Sequence, residues 1–205
     1  MSRRFLALPI AIGLIYSTAS AQYIGIFSAP EAATCAVEAG PTPWIDLHVV
    51  AVLDGAVTKL TGAQFQITGA PEGWTTQNAL WVPEPTSTIS LGHPLFATSV
   101  HPDTPGVNVA FSSCQDRPGG GRVLLGRVVL LGAPTPGEVR LRLTGFRLVP
   151  SDPLQPFVVG CVEQWYSKAV VGGSEFVLNG PQPASCQAPT AVEPSTWSNV
   201  KRLYD

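Results

Sequence analysis

Charge is scarce in this chain. Asp, Glu, Lys and Arg make up only 13% of it, and the 12 basic residues form no stripe interleaved with aromatics. That removes the electrostatic footprint of a nucleic-acid-binding domain. Histidine is scarcer still, limited to His48, His93 and His101. No Cys-x-x-Cys pair occurs, which argues against a zinc site or a thioredoxin-like centre. Ser112-Ser113-Cys114 has no Gly-x-Ser-x-Gly elbow around it. The 14 acidic residues are spread thinly, so no two carboxylates stand opposed as glycoside hydrolysis requires. These absences predict a non-enzymatic protein with no catalytic residue, metal ligand or cofactor. The alternative of a secreted hydrolase or metal-dependent enzyme rests on His93, His101 and Asp103, two imidazoles and a carboxylate forming a workable ligand set. The plainer reading makes them exposed turn residues.

Long apolar runs are missing too. The N-terminus has Arg3 and Arg4, an apolar stretch from Phe5 to Tyr16, and a small-x-small end at Ala19-Ser20-Ala21. This is the layout of a secretory signal peptide over 1–21. The stretch is shorter than the ~20 residues that span a bilayer. Arg3-Arg4-Phe5-Leu6 lacks the spacer of a twin-arginine signal, which points to the general secretory route. Cleavage after Ala21 leaves 184 residues starting at Gln22, with 10 basic against 14 acidic side chains. No cysteine follows the cut, and no later segment reaches transmembrane length. The expected location is outside the cytoplasm: periplasm, cell surface or medium.

What is abundant is punctuation. Twenty glycines and twenty prolines divide the chain into short apolar segments. In Trp44–Leu53, Ile45, Leu47, Val49, Ala51 and Leu53 fall on one face with Asp46 and His48 on the other, the period of a strand. Further strands are expected at 22–28, 63–68, 86–91, 96–101, 107–112, 122–131, 139–146, 156–162 and 175–178. Strands 122–131 and 139–146 read as a hairpin, with Val139, Leu141 and Leu143 alternating against Arg140 and Arg142. Eight to ten such strands with few helix signals predict an all-β fold over 22–180, an antiparallel immunoglobulin-like β-sandwich. Pro181, Pro183, Pro189 and Pro194 make 181–194 an extended linker. In 195–205, Ser195 is the candidate N-cap, and Trp197, Val200 and Tyr204 share one face of a short C-terminal helix.

The cysteines Cys35, Cys114, Cys161 and Cys186 all lie after the signal. An even number in an exported chain predicts two disulfides. Of three possible pairings, which sequence does not decide, Cys161–Cys186 with Cys35–Cys114 is the favoured one. Five tryptophans are many for this length. Trp74, Trp81 and Trp165 are candidate sugar-stacking residues, with Gln77 and Asn78 nearby as hydrogen bonders. Against that stands core filling, the usual use of large aromatics.

The Tyr-Ile-Gly-Ile-Phe-Ser opening, the Val-Val-Ala-Val-Leu strand followed by Thr-Gly-Ala-Gln-Phe-Gln-Ile, and Cys161 resemble small exported proteins of environmental bacteria. The sandwich is similar to cohesin and related carbohydrate-binding modules, in which a Gly-x-x-Phe strand follows a long apolar strand, as Gly62-Ala-Gln-Phe65 does here. The ending Trp197-Ser-Asn-Val200-Lys201-Arg-Leu203-Tyr204 resembles a short tail recurring on otherwise different secreted proteins. The resemblance implies a cohesin-like binding or structural module whose partner is a protein or polysaccharide outside the cytoplasm. Its tail would be either a recognition and sorting signal or a docked helix.

Overall fold

The computed structural model describes residues 23–40, 44–53, 58–117, 121–133, 137–146, 155–161, 167–169, 171–172, 175–183 and 186. The expected signal peptide, the helical tail with Trp197, Val200, Lys201, Leu203 and Tyr204, and Trp165 lie outside them. The described residues hold no α-helix, and so no helix long and apolar enough to cross a membrane.

The strands are β1 (Tyr23–Phe27), β2 (Ala36–Val37), β3 (Trp44–Leu53), β4 (Lys59–Thr68), β5 (Ala79–Pro83), β6 (Ser87–His93) and β7 (Gly106–Asp116). They continue as β8 (Gly121–Leu131), β9 (Val139–Thr144), β10 (Phe157–Gly160), β11 (Ser167–Ala169), β12 (Val171–Gly172) and β13 (Phe176–Leu178). One sheet has five strands in the order β12-β1-β3-β8-β5. The other has eight, along β11-β10-β4-β9-β13-β2, with β7 beside β4 and β6 outside β7.

The fold is therefore an all-β sandwich. Its core is filled by the alternate residues that the period-2 pattern selects. Leu47, Val49 and Ala51 of β3 and Val123, Leu125, Val128 and Leu130 of β8 come from one sheet. Phe65, Val107, Val109, Leu141 and Phe176 come from the other, and all are buried in one cluster. Arg140 and Arg142 stay outside, where they bond Glu175.

Three expectations are corrected. First, 122–131 and 139–146 are not a hairpin: β8 pairs with β3 and β5, whereas β9 pairs with β4 and β13. Alternation shows that each strand has one buried face, but both sheets of a sandwich offer such a face. Second, 96–101 is a turn. Thr98 N–H bonds His101 O at 3.0 Å, and the Thr98 hydroxyl takes the N–H groups of Val100 and His101 at 3.3 Å each. This local side-chain bonding outcompetes the ladder. The ladders are otherwise antiparallel as expected, with the two-residue pairs β1/β12 and β13/β2 parallel.

The third correction concerns the disulfides, which join Cys35 to Cys186 and Cys114 to Cys161. The ladder accounts for both. Gln115 of β7 and Gly160 of β10 register with Leu60 of β4 from opposite sides, which brings Cys114 and Cys161 to one level. Val177 N–H bonds Cys35 O at 2.9 Å, so the chain leaving β13 runs beside Cys35. The bond to Cys186 ties part of the 181–194 segment back onto the sandwich.

Candidate functional site

The metal-enzyme alternative finds no centre here. Among the described residues no three His, Cys, Asp or Glu side chains are grouped to hold an ion. His93 is only 8% exposed and both its ring nitrogens are engaged. Nδ1 accepts the Leu95 N–H at 3.2 Å, which puts the proton on Nε2, 3.0 Å from Ala79 O. Burial pushes its pKa down, opposed by the bond to Ala79 O. His101 is also buried, with its ring 5.3 Å from that of Phe146. Cys114 is oxidised.

Trp74 lies in the core at 5% exposure. Trp81 belongs to β5; its ring packs edge-on against Phe65, and its Nε1–H donates to Ser90 Oγ at 2.8 Å. Asn78, a proposed sugar ligand, bonds backbone instead: its Oδ1 accepts from Thr75 N–H at 2.7 Å and its Nδ2 donates to Gly73 O at 3.0 Å.

The Trp81–Ser90 bond gives the molecule its most distinctive surface. Strand β6 reads Ser-Thr-Ile-Ser-Leu, and Ser90 is turned inward to meet the indole. Strand alternation then turns Ile89 and Leu91 outward, where they are 50% and 47% exposed. Gly92, at φ +92°, breaks the alternation with a conformation that only glycine adopts readily. His93 then reaches Ala79 in the other sheet.

The register carries the outward apolar row across the eight-stranded sheet. One rung runs Ile89–Ala110–Gly62–Val159 and the next runs Leu91–Asn108–Gln64–Phe157. No residue in either rung is charged. A hollow of about 290 Å³ lies over β4, β7 and β10, bounded by Ala110, Asn108, Phe157 and Val159. Gly62 is among its lining residues, and a Cβ there would stand 2.7 Å from Val109 O. Gln64 donates to Phe146 O at 3.0 Å, which closes one side. The Cys114–Cys161 disulfide braces β7 against β10 at one end. Among the described residues, the Lys59–Asp116 pair and the Arg140–Glu175–Arg142 cluster stand outside the two rungs. Sequence reading missed the surface because it assigned the apolar side of every strand to the core.

No protein-family model matches the chain, and no curated protein does. Solved structures similar to it include a chain from the crystal structure of a complex between a CaDoc0917 variant and CaCohA2 at pH 5.5, with a TM-score of 0.40 and 12% identity, covering 76% of this chain and 97% of that one. Another is a type II cohesin domain from the cellulosome of Acetivibrio cellulolyticus, with a TM-score of 0.39 and 11% identity, covering 78% and 95%.

Proposed function

We propose that this protein is an exported, non-catalytic β-sandwich module that binds a protein partner across the outer face of its eight-stranded sheet. The observation that carries the reading is the uncharged double rung from β6 to β10, running through Gly62 and flanked by the half-exposed Ile89 and Leu91. An uncharged area that combines exposed apolar side chains with the amides of Asn108 and Gln64 is suited to an interaction surface. Its hollow is suited to an apolar side chain projecting from a partner, as at buried interface anchors. Export is supported by the signal-like residues 1–21 and by two disulfides, which persist in oxidising compartments.

The test uses the mature protein as bait on surface and secreted fractions of its host. Its counterpart is the double variant Ile89→Lys/Leu91→Lys. Both side chains point to solvent, so the variant should melt within about 2 °C of the parent. The variant is expected to lose about tenfold or more of the retained partner. Equal retention by the two proteins, or none by the parent, would remove this face as the interface.

A further inference from the structure

A second surface lies on the other side of the molecule and stands independently of the first. On the outer face of the five-stranded sheet, Trp44 of β3 pairs with Leu131 of β8. Trp44 is 59% exposed, more than any other large hydrophobic side chain among the described residues, and Leu131 is 41% exposed. The next rung holds Asp46, Val129 and the half-buried Leu80. Beyond it Arg127 reaches back, its guanidinium donating to Asp46 Oδ2 at 3.1 Å. The residues between, Ile45 and Leu47, pack into or against the core, so the indole starts from an anchored strand.

The chemistry of this arrangement is specific. An exposed indole offers a flat apolar surface, and the carbon-bound hydrogens of a pyranose face lose water favourably against it. Asp46 lies about 7 Å along the strand from Trp44, two residues at strand rise. Its bond to Arg127 engages one carboxylate oxygen and one terminal nitrogen, and both side chains remain partly exposed. The pair therefore keeps acceptor and donor capacity for adjacent hydroxyls of a ring stacked on Trp44. It also cancels its own charge, so it supplies no net attraction for an acidic chain. A sugar ring needs one flat aromatic and a few polar atoms beside it, and Trp44 with the Asp46–Arg127 pair supplies that set.

We infer that this face binds a neutral pyranose polysaccharide, with Trp44 stacking under one ring and the Asp46–Arg127 pair bonding its hydroxyls. The module then has a glycan contact on one sheet and a protein contact on the other.

Affinity electrophoresis of the mature protein provides the test. Gels would contain soluble β-glucan, xylan, galactomannan or, as the acidic counterpart, polygalacturonate. Retardation is expected in at least one neutral gel and not in polygalacturonate. Trp44→Ala should weaken it about tenfold or more, Asp46→Ala should weaken it measurably, and Ile89→Lys/Leu91→Lys should leave it unchanged. The inference is overturned by migration unaffected in every neutral gel, by retardation in polygalacturonate alone, or by retardation that survives both Trp44→Ala and Asp46→Ala. Because the Ile89/Leu91 variant reports only on the opposite sheet, failure here leaves the protein-binding reading standing, and the reverse holds.

Discussion

His93 shows how much one polar side chain contributes when it joins two layers. Its ring accepts from Leu95 N–H within its own segment and donates to Ala79 O in the facing sheet. Removing it leaves a backbone donor and acceptor unpaired and a gap between strands. His93→Ala is therefore expected to cost about 2–4 kcal/mol in urea unfolding. Its titration adds a pH dependence. Burial lowers the pKa of His93, and burial is also the largest cause at His48, where Asp46 opposes it and Arg127 adds to it. Below pH ~6.5 the unfolded chain then binds more protons than the folded one. Their contribution is complete above that pH and lost as pH falls through the folded-state values. Urea midpoints should drop between pH 7.5 and 5.0, and His93→Gln should flatten part of that fall. Glu175 acts in a different window: hydrogen bonds from Arg140 and then Arg142 hold its carboxyl below the usual value, so its contribution is lost only as pH falls below ~4.5.

Strand β6 carries its polarity the opposite way round from the other strands. Ser90 between Ile89 and Leu91 is the position that faces in, because Trp81 supplies a donor there, whereas Thr88, beside the register shift, is exposed. The apolar side is then left outside, next to the Gly62 hollow. At Gly62 the obstacle to a side chain is the backbone oxygen of Val109, not a movable side chain. Gly62→Ala must therefore push β4 from β7, at a cost of about 1–3 kcal/mol measurable by denaturant unfolding. It should also weaken partner retention by filling the hollow. A stability change under a few tenths of a kcal/mol would show that the two strands yield there.

The two disulfides are nested, not side by side. Cys35–Cys186 closes a separation of 151 residues around the 47-residue loop of Cys114–Cys161. In the chain-entropy account such loops correspond to about 5 and 4 kcal/mol respectively, as upper values. Replacing Cys35 and Cys186 by Ser should lower the unfolding midpoint at least as much as replacing Cys114 and Cys161. Peptide mapping of unreduced protein should recover Cys35 linked to Cys186. A Cys161–Cys186 peptide would contradict the packing of β2 against β13. Intact mass before and after reduction, rising by about four hydrogens, checks that both bonds form.

Much of this architecture is legible without coordinates. Strand β3 has the limits read from its alternation, and Val139, Leu141 and Leu143 are buried as their spacing against Arg140 and Arg142 requires. Such features depend on neighbours two residues apart, and the pleat converts them directly into inside and outside. Which sheet β9 joins, which cysteines meet and which way β6 turns depend on partners distant in the chain. Ser90 faces inward because Trp81 arrives from the opposite sheet, and Cys186 reaches Cys35 because β13 lies beside β2. Local pattern specifies that a strand has two unlike faces; only packing specifies what each face meets. The candidate surfaces arise at that second level: Ile89 and Leu91 lie outside because Ser90 between them meets Trp81 from the other sheet.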